Sequence, residues 1–236
     1  MDFSFLNNIP VMVSFLLFGI AALLVYYYLH KYSIDEKKSK TLLIVINAVF
    51  LVFYFIYAVA RFLELDELEH IQSIWLTSIG EIPYCNFYQH HHPLLWYLLS
   101  PVFFIFDKGL PAVIAIRIIN FGFFIEVLLC VYKIAYEITN SHKISLLSFS
   151  ITFAINIFSR NSLAIRPDTL MLLFALISYL FFIKFIKHKK NLWGILTGVA
   201  LAFSFITLQK AVFYIIPLLV ISIYLNISGK IHIKKL

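Results

Sequence analysis

Charged residues are scarce in this chain of 236 residues, where Asp, Glu, Lys and Arg together make up 13%. Hydrophobic residues make up 62%, and 25 Phe and 14 Tyr are among them. Because a soluble domain of this length needs far less apolar sequence for its core, the composition excludes an ordinary soluble protein. We therefore predict an all-α polytopic membrane protein.

Cysteine is almost absent, and the two that occur are placed where they cannot pair. Cys85 lies in a polar segment, whereas Cys130 lies deep inside a later apolar run, so the two are expected at different depths. Cysteine usage therefore does not indicate a redox compartment.

The chain also lacks a concentrated basic face. Its formal charge is +7, but the basic residues are scattered between apolar runs, which argues against a nucleic-acid partner. No basic stretch precedes the first apolar run, 9–29, and no clear small-residue cleavage site follows it. We therefore interpret that run as a retained membrane helix rather than a signal peptide.

Long apolar runs dominate what is present. The predicted spans are 9–29, 41–60, 112–133, 144–159, 168–183, 191–208 and 211–226. The run 94–106 is ambiguous, because its 13 residues would rise only about 20 Å as a helix. If it does not cross, 13 of the 19 basic residues lie on one side, whereas a crossing gives 9 against 10. Since basic residues gather in cytoplasmic loops, we predict seven spans, an outer N-terminus and a re-entrant or interfacial helix at 94–106.

The segment 64–97 carries the densest polar chemistry, with five carboxylates, four histidines and a His-Pro turn between two apolar runs. Its apolar residues recur at helical spacing from Leu65 to Ile79, while Asp66, His70, Ser73 and Thr77 form the opposite face. This pattern predicts an amphipathic helix at the membrane interface. The predicted topology places the loop 61–111, the turn 160–168 and Gln209 with Lys210 on one outer face.

The order of these motifs resembles a known family. A membrane helix, an acidic pair, GEIPYCNFYQHHHPLLWYLL at 80–99 and IRPDTLMLLFALISYLFF at 165–182 are similar to type C glycosyltransferases. The resemblance is to the branch with protein O-mannosyltransferases and lipid A aminoarabinose transferases, and it covers about 41–220. It implies a polytopic enzyme that takes a sugar from a polyprenyl-phosphate carrier on the outer side of the membrane.

The resemblance also implies roles for individual residues. Asp66 corresponds to the general base, with Glu67 as its catalytic neighbour. His92, Arg166 and Lys210 are candidates for binding the donor phosphate. Further supporting residues are His70, His91 and Asp168.

Two departures from the family concern the ends of the chain. Residues 1–40 form an additional membrane helix and cytoplasmic loop, and the family-like domain 41–236 ends before the further spans of its relatives. We therefore expect a fragment, a split gene or a shortened protein, with a second chain as a possible partner.

Transfer from a lipid phosphate needs a carboxylate to accept the acceptor's proton and cations to stabilise the leaving phosphate. Direct attack on the anomeric carbon would invert its configuration. No cofactor is required, a divalent cation is optional, and three consecutive histidines cannot all reach one metal ion from a regular helix or strand. The acceptor is left open among lipid, protein and glycan.

Other interpretations remain open from the residues alone. Asp66 and Glu67 can act only as helix N-terminal charges, Arg166 and Asp168 can pair with each other, and Lys210 can reach the interface without touching substrate. The alternative functions are a transporter or flippase subunit using Glu126 and the histidines, or a non-catalytic N-terminal half completed by another chain. Composition favours a bacterial inner membrane.

Overall fold

The computed structural model describes residues 36–155 and 161–228, together with scattered helical positions between 20 and 31. Most of the predicted span 9–29 therefore lies outside the described residues. Helices account for about four fifths of the described chain, and its only β-type pairing is an isolated bridge between Pro83 and Phe87. The prediction of an all-α protein is confirmed.

The helices are named in chain order. They are α1 (Glu36–Ala60), α2 (Leu65–Ser78), α3 (Leu94–Leu99), α4 (Val102–Ile105), α5 (Leu110–Thr139), α6 (His142–Ala154), α7 (Pro167–His188), α8 (Asn191–Thr207) and α9 (Val212–Ile227), with a 3-10 turn at Gln209–Ala211.

Four helical segments within the described residues are long and apolar enough to cross a membrane. They are Lys37–Ala60, Leu110–Thr139, Pro167–His188 and Gln209–Ile227. These correspond to four of the seven predicted spans and confirm a polytopic membrane protein. The predicted span 191–208 appears as the 17-residue α8, and 144–159 appears as the 13-residue α6 followed by residues 156–160, which lie outside the described chain.

The ambiguous run 94–106 consists of the two short helices α3 and α4. Together they form an apolar segment from Leu94 to Ile105. A helix of this length rises about 18 Å, which is much less than the hydrocarbon thickness of about 30 Å. The length agrees with a segment that does not cross, and its re-entrant or interfacial placement stays a prediction.

The chain divides into two compact units, of which the first comprises residues 1–62 and 117–164. Its core is aromatic: Tyr54 of α1 and Phe124 of α5 are fully buried, and their rings stack with centroids 6.0 Å apart. The hydroxyl of Ser150 on α6 donates to Oδ1 of Asn47 on α1 at 2.9 Å. A side-chain hydrogen bond of this kind stabilises helix association in a membrane, because lipid tails are as apolar as the side chains and the hydrophobic effect does not drive helices together.

The second unit comprises residues 63–116 and 165–236. Here α7 packs along α8, and Ser204 of α8 donates a hydrogen bond to the carbonyl of Met171 on α7 at 2.9 Å. α7 begins with Pro167 in its first turn, where the missing N–H costs nothing. Asp168 in that first turn and Lys187 in the last complement the helix dipole. α2 packs against α3 and α4.

Candidate active site

The first turn of α2 is tied to the segment that precedes α7. Glu67 is fully buried, and its Oε2 accepts a hydrogen bond from the backbone N–H of Glu64 at 3.2 Å. Its Oε1 accepts from the backbone N–H of Ile165 at 3.1 Å. The carboxylate therefore connects two segments that are 98 residues apart in the chain.

Four side chains next to this connection form a row of alternating charge. Arg166 Nη2 lies 2.9 Å from Asp66 Oδ2, and Arg166 Nε lies 3.7 Å from Asp168 Oδ2. Lys210 Nζ completes the row 3.1 Å from Asp168 Oδ1. The row joins α2, the Arg-Pro-Asp turn and the 3-10 turn before α9, so three segments that the sequence predicts to converge do meet within the second unit.

The histidines lie beside this row. His70 on α2 is buried, and the indole N–H of Trp96 donates to its Nδ1 at 3.3 Å. The pKa of His70 is lowered to about 4, mainly by burial; His91 and Arg166 add to the lowering, and the charges of Glu69 and Asp66 oppose it. His70 is therefore neutral at pH 7, and its remaining hydrogen is on Nε2.

His91 continues the imidazole layer, with its ring centroid 5.4 Å from that of His70 and 4.0 Å from that of His90. Burial and the neighbouring His90 lower its pKa, against Asp168 and Glu69. Its Nδ1 is buried without a hydrogen-bond partner. His70 and His91 thus supply uncharged donors and acceptors next to the charged row.

His92 is placed differently from the other predicted phosphate ligands. Its Nδ1 lies 2.6 Å from the backbone carbonyl of Phe205 in the last turn of α8. Because a carbonyl only accepts, Nδ1 carries the hydrogen. Gln209 Nε2 donates to the carbonyl of His90 at 3.3 Å, and the hydroxyl of Tyr84 donates to the carbonyl of His91. Residues 90–92 are thereby tied to the C-terminal end of α8.

The middle of the polar face of α2 points into the protein rather than to solvent, although Asp66 at its start is partly exposed. His70 and Ser73 are almost completely buried, whereas Leu65 is 84% exposed and Leu68 is 47% exposed. A soluble amphipathic helix would show the reverse. In a membrane protein the exposed apolar side can contact lipid, so the inverted arrangement agrees with the predicted interfacial position.

Two polar residues of α5 were not identified from the sequence, and both contact backbone carbonyls in the first unit. Arg117 is 3% exposed and donates to the carbonyls of Val59 at 3.0 Å and Arg61 at 2.8 Å. Asn120 is fully buried and donates to the carbonyls of Ser162 and Ala164, both at 2.9 Å. The sequence signal that could have identified Arg117 is a lone arginine inside an apolar run.

Several other predictions can be compared with the structure. Cys85 and Cys130 are both free, Cys85 exposed and Cys130 buried, as predicted. Glu126, on which the transporter interpretation depends, is exposed on α5. Within the described chain, no three His, Cys, Asp or Glu side chains are grouped to hold a metal ion.

The arrangement offers a carboxylate and two cations within one connected set of ion pairs. Asp66 is 53% exposed and Lys210 is 54% exposed, so small polar groups can reach both. Such a set can accept a proton at one end and bind an anion at the other.

Residues 90–236, which are more than half of the chain, match the profile of a family described as dolichyl-phosphate-mannose-protein mannosyltransferase. His91, His92, Arg166, Asp168 and Lys210 lie inside the matched range, whereas Asp66, Glu67 and His70 precede it. No curated protein and no solved structure shows significant similarity to the chain.

Proposed function

The chain belongs to the dolichyl-phosphate-mannose-protein mannosyltransferase family, and from this we propose that it transfers a sugar from a polyprenyl-phosphate carrier to an acceptor hydroxyl. Family membership makes it a glycosyltransferase of type C and an integral membrane protein. The observation that carries the finer proposal is the row Asp66, Arg166, Asp168 and Lys210, which combines one candidate base with two cations.

Arg166 and Lys210 bind the donor phosphate in this proposal. A guanidinium can contact two phosphate oxygens at once, and an ammonium adds a point charge. Both cations are partly exposed, and Asp168 lies between them at 3.7 Å and 3.1 Å. As the bond between the anomeric carbon and the phosphate oxygen breaks, the two cations stabilise the charge that develops on the phosphate. The chemistry therefore requires no cofactor.

Asp66 is the general base in this proposal, and its ion pair with Arg166 makes it available only after the donor has bound. Partly exposed ion pairs contribute only about 0–1 kcal/mol, so a phosphate can compete effectively for Arg166. Once Arg166 contacts the phosphate, Asp66 can accept the proton of the acceptor hydroxyl while that oxygen attacks the anomeric carbon. Attack opposite the leaving phosphate inverts the configuration.

Glu67 has a positioning role rather than a direct one. Its two carboxylate oxygens hold the N–H groups of Glu64 and Ile165, which are close in sequence to Asp66 and Arg166. The carboxylate thereby sets the distance between the base and the first cation. Glu67→Gln removes one of the two acceptors and should weaken donor binding as well as stability.

His92 also has a positioning role in the resting site. Since its Nδ1 hydrogen is used at the Phe205 carbonyl, neutral His92 has no hydrogen left for a phosphate. Only the imidazolium form can donate through Nε2. His92 therefore contributes mainly by holding residues 90–92 beside the cations.

The proposed reaction takes place on the outer face of a bacterial inner membrane. Support comes from the distribution of basic residues in the sequence, which places the loop 61–111 and the turns at 166 and 210 on the side with fewer lysines.

The direct test supplies the purified protein with undecaprenyl-phosphate hexoses and pentoses together with hydroxyl-bearing acceptors, and measures both release of polyprenyl phosphate and transfer of the sugar to the acceptor. Asp66→Asn should lower the transfer rate by about 100-fold or more, because the general base is lost. Donor affinity should be kept or increased, since Arg166 is freed. Asp107→Asn, an exposed acid outside the row, is the matched control. Full transfer by Asp66→Asn would exclude Asp66 as the base.

A further inference from the structure

We propose that a groove between α2 and residues 87–90 is the acceptor subsite, and that it binds an uncharged, hydroxyl-rich glycan. The inference rests on the proposed transfer reaction and adds the acceptor class to it. The groove has a volume of about 380 Å³, within the range of small-molecule sites.

The groove begins one helical turn from the proposed base. Glu69 lines it, and residues three apart on a helix are neighbours on its surface, so the Glu69 end of the groove is the end nearer to Asp66, which is not itself part of the lining. On the opposite wall, His90 Nδ1 lies 3.5 Å from Glu69 Oε1. An acceptor lying in the groove can therefore present a terminal hydroxyl toward Asp66.

The lining combines aromatic surfaces with uncharged hydrogen-bonding groups. Phe87 and Tyr88 lie beside the amides of Gln72 and Gln89. The side chain of Tyr88 is 87% exposed and makes no hydrogen bond within the described chain, so its ring is available to contact a ligand. An aromatic ring can cover the apolar face of a sugar, while amides donate to and accept from adjacent hydroxyls.

The groove is held in shape before any ligand binds. Gln89 is buried, and its Nε2 donates to the hydroxyl of Ser73 at 2.8 Å. That hydroxyl in turn donates to the carbonyl of Glu69 at 2.9 Å. Because the floor is already hydrogen-bonded, little ordering is needed on binding, which favours affinity for a weakly interacting ligand.

Charge and backbone hydrogen bonding disfavour the other acceptor classes. Glu69 is the only acid or lysine in the lining, so an anionic lipid headgroup would meet like charge. Extended peptides are usually held by main-chain hydrogen bonds. In the wall of the groove, however, the carbonyls of Phe87 and His90 already accept from Tyr84 and Gln209. These two carbonyls are therefore less available to a peptide backbone, whereas the side-chain amide of Gln72 in the lining is available to hydroxyls.

The test measures acceptor binding without donor, by saturation-transfer NMR on the protein in nanodiscs. The probes are tetrasaccharides of glucose, mannose, galactose and N-acetylglucosamine, and a serine- and threonine-rich peptide. We expect binding of at least one tetrasaccharide, weakened about tenfold or more by Tyr88→Ala and by Gln72→Leu. Tyr224→Ala, an exposed aromatic on α9, is the matched control and should bind as the wild type does.

The outcomes separate this proposal from the proposed function. Donor binding without binding of any tetrasaccharide would overturn the glycan groove and leave the transfer reaction standing. Binding of the peptide that is weakened by Tyr88→Ala would keep the groove and overturn the glycan class. Tetrasaccharide binding that neither variant changes would place the acceptor elsewhere.

Discussion

His70 illustrates at the residue scale how burial turns a sequence motif into a defined chemical state. The sequence places it one turn after Asp66, which suggests a polar partner exposed at the interface. In the structure it is 2% exposed and accepts a hydrogen bond from Trp96. A buried, neutral imidazole stabilises the packing of α2 against α3, and it cannot supply positive charge to the donor phosphate at pH 7.

This state predicts a pH dependence of stability. In the folded protein the pKa of His70 is lowered to about 4, whereas in the unfolded chain it is about 6.5. Between pH 4 and pH 6.5 the unfolded chain therefore binds a proton at His70 more readily than the folded protein does. Its stabilising contribution is therefore full above pH 6.5 and is lost as the pH falls toward 4, by at most about 3 kcal/mol.

The measurement is the melting temperature of wild type and His70→Gln between pH 7.5 and 4.5. Glutamine can still accept from Trp96 but does not titrate, so the wild type should lose more stability on acidification than the variant. His188→Gln, an exposed histidine at the end of α7, is the control. Parallel curves for wild type and His70→Gln would show that His70 does not titrate in this window.

At the scale of elements, hydrophobic patterning located the helices but not their contacts. Apolar runs correctly marked α1, α5, α7 and α9, since a span must be long and continuous. The helical spacing of the apolar residues from Leu65 to Ile79 correctly predicted α2. The pattern cannot tell whether the polar face of α2 meets water or protein, because a polar residue satisfied by Trp96 and one satisfied by solvent have the same spacing.

The contact of His92 with the Phe205 carbonyl predicts how the end of α8 is coupled to the candidate site. His92→Phe keeps the ring against Phe205, at a centroid distance of 5.3 Å, but removes the donor to its carbonyl. Losing one hydrogen bond costs about 1 kcal/mol, which corresponds to a fall of about 2–4 °C in melting temperature. The affinity for undecaprenyl phosphate should change less than about threefold, because neutral His92 offers no hydrogen to a phosphate.

The matched variant is Gln209→Leu, which removes the neighbouring hydrogen bond to the His90 carbonyl. Both variants act on the same segment, so their effects on stability should be less than additive. An unchanged melting temperature with a large loss of lipid affinity for His92→Phe would instead make His92 a phosphate ligand.

At the scale of the whole molecule, the convergence of distant loops was predictable, whereas its detailed connections were not. Alternation of spans placed Asp66, Arg166 and Lys210 on one side, and within the second unit these residues form a continuous set of ion pairs. Glu67 contacts Ile165, which is 98 residues away in the chain. Arg117 contacts backbone carbonyls that are 55 to 58 residues away. No local pattern encodes such pairs.

The predicted topology can be tested with a natural cysteine. Cys85 is exposed in the loop predicted to be outside, whereas Cys130 is buried in α5. A membrane-impermeant maleimide should label intact spheroplasts expressing the wild type, because the loop faces outward. Labelling should be lost in Cys85→Ala and kept in Cys130→Ala. Labelling of Cys85 only after permeabilisation would place the loop in the cytoplasm and reverse the topology.

The most direct test of the central claim is a titration of the protein in nanodiscs with undecaprenyl phosphate, read by native mass spectrometry. Wild type should bind it saturably, and Arg166→Ala and Lys210→Ala should each weaken binding about tenfold or more, as expected for losing a charge-assisted contact. Lys187→Ala, at the far end of α7, should bind as the wild type does. Absence of binding, or equal binding by all variants, would contradict a donor phosphate site at Arg166 and Lys210.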